Sequence, residues 1–159
     1  MKLRHAVLIG AVIFAFGSFL SSKVLPEAST VVKSIDTVEL DRLIKDKDCQ
    51  CLIVAMASWC GSCRGELPTL IKLYDKYKGQ GLKMIGVSLD LEGPSAMQRI
   101  VDKMQVNFPF YWAGEKATTK YNISAIPTLF LVKNGEIVEK IVGKRPESFL
   151  DKKIGNFLK

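Results

Sequence analysis

Residues 52–57, Leu-Ile-Val-Ala-Met-Ala, run directly into Ser58-Trp59-Cys60-Gly61-Ser62-Cys63, and this junction constrains the fold more than any other stretch. Apolar side chains without alternation suit a short central strand buried on both faces. Leu67, Leu70, Ile71 and Tyr74 then recur at i, i+3, i+4 and i+7, the stripe of a helix that begins at the cysteines and buries one side. Pro68 interrupts that helix one turn in. It has no N–H to bond the Arg64 carbonyl, so a kink is expected there rather than an end, because the apolar period continues past it. Gly79 and Gly81 close the helix, and residues 82–89 give the next strand. Strand, helix and strand in this order make a right-handed parallel unit, with the cysteines at the carboxyl end of its first strand.

The flanking segments read as follows. Asp36-Thr37-Val38-Glu39 is a capping-box pattern with Ile35 and Leu40 placed as a hydrophobic staple, which predicts a helix through Lys45 after a short strand starting at Val31 and Val32. Gly93-Pro94 opens a helix with the stripe Met97, Ile100, Val101 and Met104, and residues 108–112 are expected as a strand. The aromatic residues Phe108, Phe110, Tyr111 and Trp112 are read as strand and core packing rather than a substrate platform. Residues 116–121 read as a helical turn. Asn134-Gly135 joins two strands, 129–133 and 136–142, as a hairpin, and a last helix from Pro146 carries Leu150, Ile154, Phe157 and Leu158 on one face.

Met1 to His5 is a short basic stretch followed by an apolar run to Leu20, which reads as an export signal. The expected organisation is a signal peptide or signal anchor over 1–23, a tether over 24–29 and one domain over 30–159. The span is short for a bilayer, although Lys23 can snorkel and add Val24 and Leu25, and an uncleaved anchor is favoured. With Lys2 and Arg4 held on the cytoplasmic side, the domain is expected outside the cytoplasm, periplasmic or on the outer face of the cytoplasmic membrane, where disulfides persist. The formal charge of +7 is spread in single lysines beside acids, which implies a basic surface and no nucleic-acid partner.

Trp59-Cys60-Gly61-Ser62-Cys63 at a strand-to-helix junction, Pro68 inside the helix, Ile126-Pro127-Thr128 before a closing hairpin and Gly143 after the last strand together resemble the thioredoxin superfamily over residues 30–159. The stretch between Asp90 and Pro127 is longer than in a plain thioredoxin, and with the export signal it points to the membrane-tethered TlpA/ResA-like branch. The resemblance implies an α/β, three-layer fold: a central mixed sheet with helices on both faces and an inserted helix plus strand around residues 94–112. It implies a cis bond at Ile126-Pro127 that exposes backbone for an extended partner, so Trp59, Ile126 and Pro127 are expected to bind substrate. Glu66 matches a glutamate of the ResA-like members and Val54 stands where cytoplasmic thioredoxins carry a buried aspartate. A proton-accepting Glu66 is therefore implied by resemblance, with a solvated helix residue as the alternative. A membrane electron donor of the CcdA/DsbD kind is implied as well; no cofactor and no metal are expected.

The chemistry stands without the family. A cysteine at a helix N-terminus has its thiolate stabilised by unpaired N–H groups and the helix dipole, and Cys60 occupies that place. Cys63, one turn on, can attack a mixed disulfide at Cys60 and release the reduced partner. Arg64 either helps to hold the thiolate or is simply exposed. His5, the only histidine, lies in the signal, which excludes a Cys-His pair in the domain. Cys49 and Cys51 leave more open: a disulfide between them, two buried thiols or a second redox pair. Four-thiolate zinc is disfavoured because a strand between the two cysteine pairs, at about 3.3 Å per residue, separates them by roughly 25 Å. Three functions follow. They are an exported thiol-disulfide oxidoreductase reducing protein disulfides, for which the resemblance implies apocytochrome c as one substrate class; an oxidase or isomerase using the same cysteines; and a redox-inactive thioredoxin-like binding module. The intact WCxxC argues against the third. Ile before Pro127, the residue type of reducing thioredoxins, favours the first.

Overall fold

The structure, a computed structural model, describes residues 30–159. The expected export segment and tether lie outside the described residues. The elements run β1 (Lys33–Ser34), α1 (Thr37–Lys45), β2 (Gln50–Met56), α2 (Gly61–Tyr77), β3 (Lys83–Ser88), α3 (Pro94–Met104), β4 (Phe110–Trp112), α4 (Glu115–Lys120), β5 (Thr128–Lys133), β6 (Glu136–Val142) and α5 (Glu147–Phe157). The strands form one six-stranded sheet in the order β1-β4-β3-β2-β5-β6. β2 pairs parallel with β3 and antiparallel with β5, so the sheet is mixed and β2 is central. The added strand β4 enters between β1 and β3.

The pleat of β2 divides the core. Leu52, Val54 and Met56 point to one face, where α2 contributes Cys63, Leu67, Leu70 and Leu73, and α5 contributes Leu150 and Ile154. Cys51, Ile53 and Ala55 point to the other, covered by Leu40 and Ile44 of α1 and Ala117 of α4. Burial on both faces is why this strand lacks alternation. The result is the three-layer, thioredoxin-like α/β architecture that the resemblance implied.

Local chemistry sets the element ends. Asp36 caps α1, its carboxylate accepting from Val38 N and Glu39 N at 2.8 Å, while Glu39 accepts from Asp36 N, completing the capping box. Asn134 and Gly135 both hold positive φ, 57° and 81°, as a two-residue hairpin turn requires. α2 continues past Pro68 to Tyr77 without ending. One expectation shifts: the first strand forms at Lys33–Ser34, not from Val31. Val32 is buried, but its N–H goes to the Gln98 side chain at 2.7 Å instead of a neighbouring strand. Among the described residues no helix is long and apolar enough to cross a membrane.

Candidate active site

β2 ends at Met56, and the chain turns once before α2 begins. That turn is closed by the Cys60 N–H donating to the Ala57 carbonyl at 3.1 Å, and α2 starts with the Arg64 N–H on the Cys60 carbonyl at 3.1 Å. Cys60 is therefore the N-cap of a 17-residue helix, and its Sγ accepts from the Cys63 N–H at 3.2 Å. The Ser62 hydroxyl lies 3.3 Å from the same sulfur. Cys60 and Cys63 are joined as a disulfide, with Cys60 reaching the surface at 6 % exposure and Cys63 at 0 %. The order of access fits an outer attacking sulfur and an inner resolving one.

The other expected residues converge on this pair to different degrees. Trp59 is 64 % exposed, a large apolar side chain with little packing, beside the disulfide. The Ile126–Pro127 bond is cis, and the Ile126 carbonyl oxygen stands 3.8 Å from Cys60 Sγ, so the loop before β5 abuts that sulfur. Glu66 is buried at 1 % exposure, which overturns the alternative of a solvated helix residue. Its place on α2 puts it on the face with Cys63 and Leu67, turned into the core rather than away from it. Its Oε1 accepts from the Arg145 N–H at 2.7 Å, and Oε2 has no hydrogen-bond partner among the described residues. Burial pushes the carboxyl above its ordinary 4.5, outweighing the Arg145 N–H and the nearby charges of Lys144 and Arg145. A buried carboxyl with one unengaged oxygen can carry a proton for a buried thiol. Arg64 is exposed and donates from Nη1 to the Ser58 carbonyl at 2.6 Å, bracing the turn.

Sequence reasoning missed a second buried acid. Asp90, just beyond β3, is 0 % exposed and accepts the Ser58 N–H and hydroxyl and the Ser88 hydroxyl. The available signal was Ser88-Leu89-Asp90 at the carboxyl end of a buried strand, where i and i+2 share a face. Phe108 and Phe110 are core residues as expected. Trp112 is half-buried and donates Nε1–H to the Asp90 carbonyl at 2.6 Å. It lines an open groove of about 630 Å³ with Val38 and Leu91 beside the turn.

Cys49 and Cys51 are bonded to each other and buried at the amino end of β2, opposite the Cys60–Cys63 pair. Spacing of two along extended chain puts both sulfurs on one face, which is why they meet.

The profile of the AhpC/TSA family matches residues 22–141. A thiol-disulfide oxidoreductase ResA of Bacillus cereus is 34 % identical over 96 residues, 59 % of this chain and 55 % of that protein. The matched stretch thus spans about half the length of such relatives. Among solved structures, a Chlorobium tepidum chain assigned to the DsbE thiol:disulfide interchange proteins superposes with TM-score 0.65 at 26 % identity, covering 71 % of this chain and 82 % of that one. StoA of Bacillus subtilis superposes with TM-score 0.60 at 25 % identity, covering 69 % and 84 %.

Proposed function

The chain belongs to the AhpC/TSA family, in its TlpA/ResA-like thioredoxin branch, and on that premise we propose that it is an extracytoplasmic thiol-disulfide oxidoreductase that reduces the disulfides of partner proteins. The observation that carries this reading is the placement of Cys60 Sγ on the N-terminus of α2, 3.2 Å from the Cys63 N–H, with Cys63 and the Glu66 carboxyl both buried on the same helix. A disulfide that only braced the fold requires neither the helix N-terminus nor the acid.

In the reducing direction the Cys60 thiolate attacks one sulfur of the partner disulfide. That S–S bond breaks, a Cys60–partner bond forms, and the departing partner thiolate takes up a proton. Cys63 then gives its proton to Glu66 and attacks Cys60 Sγ, so the mixed disulfide breaks and the second partner thiolate leaves. The partner gains two electrons and the domain ends with Cys60 bonded to Cys63. Trp59 offers the partner a flat apolar face, and the loop at Ile126 and Pro127 lies against the sulfur under attack. Re-reduction needs a dithiol donor, for which a membrane protein of the CcdA/DsbD kind fits an anchored domain outside the cytoplasm. Apocytochrome c, whose thiols must be reduced before haem attachment, is a substrate class consistent with the ResA relatives.

Trapping tests the reading. A Cys63→Ser variant cannot resolve, so reduced protein mixed with a disulfide-bonded polypeptide is expected to accumulate a covalent adduct that dithiothreitol releases, while Cys60→Ser forms none. Equal adduct on both variants, or on neither, would sink it.

A further inference from the structure

The mechanism above makes no use of Asp90, although it is a fully buried ionisable side chain next to the redox turn. We propose that Asp90 is a positioning residue for Cys60: its carboxylate clamps Ser58 and so holds the Ala57–Cys60 turn that seats the sulfur on the helix N-terminus.

Every polar group of Ser58 is engaged. Its N–H donates to both Asp90 oxygens, at 3.0 and 3.1 Å, and its hydroxyl donates to Oδ1 at 2.7 Å. Its carbonyl takes Arg64 Nη1 from the other side. Asp90 is itself fixed. The Ser88 hydroxyl donates to Oδ2 at 2.7 Å, the Asp90 N–H returns to Ser88 Oγ at 3.2 Å, and Trp112 Nε1–H holds the Asp90 carbonyl at 2.6 Å. The donors to the carboxylate are all neutral groups, an arrangement that stability alone does not favour. Burying a charge is costly before its hydrogen bonds are counted, and a well-packed apolar side chain commonly replaces a buried charge at no loss. What an apolar side chain cannot do is accept two donors from one residue and set the orientation of the turn.

That orientation matters because the Cys63 N–H reaches Cys60 Sγ at 3.2 Å, a contact that a small rotation of the turn breaks, and helix-terminus stabilisation fades within the first turn. A turn freed at Ser58 lets the sulfur drift from the N–H groups, and the reactive thiolate fraction falls. The inference rests on Cys60 being the attacking thiol. Charged groups around the turn include Arg64 and Glu66 of α2, Asp90 after β3, Lys144 and Arg145 after β6, and Asp36, Glu115 and Lys116 of the groove that Trp112 lines.

The test is alkylation of Cys60 by iodoacetamide in the reduced full chain, followed by peptide mapping, for wild type, Asp90→Ala, Asp90→Asn and Ser58→Ala. For Asp90→Ala we expect alkylation about tenfold slower near pH 6 and within about twofold near pH 10, well above the usual thiol pKa of about 8.5. Asp90→Asn keeps an acceptor for Ser58 and is expected to recover most of the rate, with Ser58→Ala between. The sign is diagnostic: if the carboxylate acted only through its charge, both Asp90 variants would favour the thiolate and react faster. Profiles that superimpose on wild type, or faster reaction in Asp90→Asn, overturn the proposal. If Asp90→Ala does not fold, Ser58→Ala and Asp90→Asn decide it on the same criterion. No disulfide substrate enters the assay, so failure of the oxidoreductase reading shows separately, as wild-type Cys60 that alkylates readily yet reduces no partner.

Discussion

Changing Glu66 to Gln isolates the proton step from the shape of the site. The amide keeps the volume and leaves an oxygen for the Arg145 N–H, which donates to Oε1 at 2.7 Å, while the ionisable group is lost. The structure sets the expected size. Cys63 is 0 % exposed, so water is excluded from its sulfur, and Glu66 is 1 % exposed on the same helix face one turn on, with Oε2 unengaged among the described residues. Positioned general bases contribute about 10²- to 10⁴-fold, and the expected loss is set at the lower end, about 10²-fold. The assay starts from Cys60 carrying a thionitrobenzoate group and follows release of coloured thiolate as Cys63 attacks. Release from Glu66→Gln is expected about 10²-fold more slowly near pH 7, with the gap closing as pH rises and Cys63 ionises unaided. Rates within twofold across the range would refute the role assigned to Glu66. The same carboxyl makes a stability prediction. Its pKa is raised above 4.5 by burial, so the folded protein binds this proton more tightly than the unfolded chain. The resulting stabilisation is complete below about pH 4.5 and is lost as pH rises through the folded value. Thermal unfolding of wild type relative to Glu66→Gln should therefore fall over that interval; a constant difference would contradict the buried-acid assignment.

Three further outcomes follow from other parts of the molecule. Trp59→Ala should leave Tm nearly unchanged, because the side chain is 64 % exposed, and lower kcat/KM for a protein disulfide about tenfold without changing that for a small disulfide; equal losses on both would remove Trp59 from docking. Gly86→Ala places a Cβ 2.2 Å from the buried Phe110 ring and should cost about 1–3 kcal/mol, read as a Tm lower by several degrees; an unchanged Tm would mean that β3 and β4 are not so closely apposed. Replacing both Cys49 and Cys51 by Ala should leave disulfide exchange at Cys60 within about twofold, since that pair sits at the other end of β2, and a larger loss would assign it a redox part.

Much of this site could be read from local sequence because its main parts lie along one strand and one helix. The unbroken apolar run over 52–57 and the stripe through Leu67 and Leu70 are periodic signals, and the capping box at Asp36 is a matter of fixed spacing. Pro68 was legible for the same reason, as a helix whose apolar period outlasts its break. What the sequence could not reveal depends on distant contacts. Glu66 faces inward because the loop after β6 brings the Arg145 N–H to it, 79 residues away along the chain. Asp90 meets Ser58 only because β2 and β3 lie side by side in parallel and end together. Val32 leaves the expected strand because the Gln98 side chain takes its N–H across 66 residues. Single-residue patterns carry no record of such partners, and buried polar side chains are where that omission matters most.

Direction of electron flow is the central claim, and it is settled most directly by the reduction potential of the Cys60–Cys63 couple, measured by equilibration with glutathione or thioredoxin and with Cys49 and Cys51 replaced by Ala so that one couple is read. The reductase account predicts a value more negative than about −200 mV, whereas a value near about −120 mV, where strong oxidants lie, would contradict it.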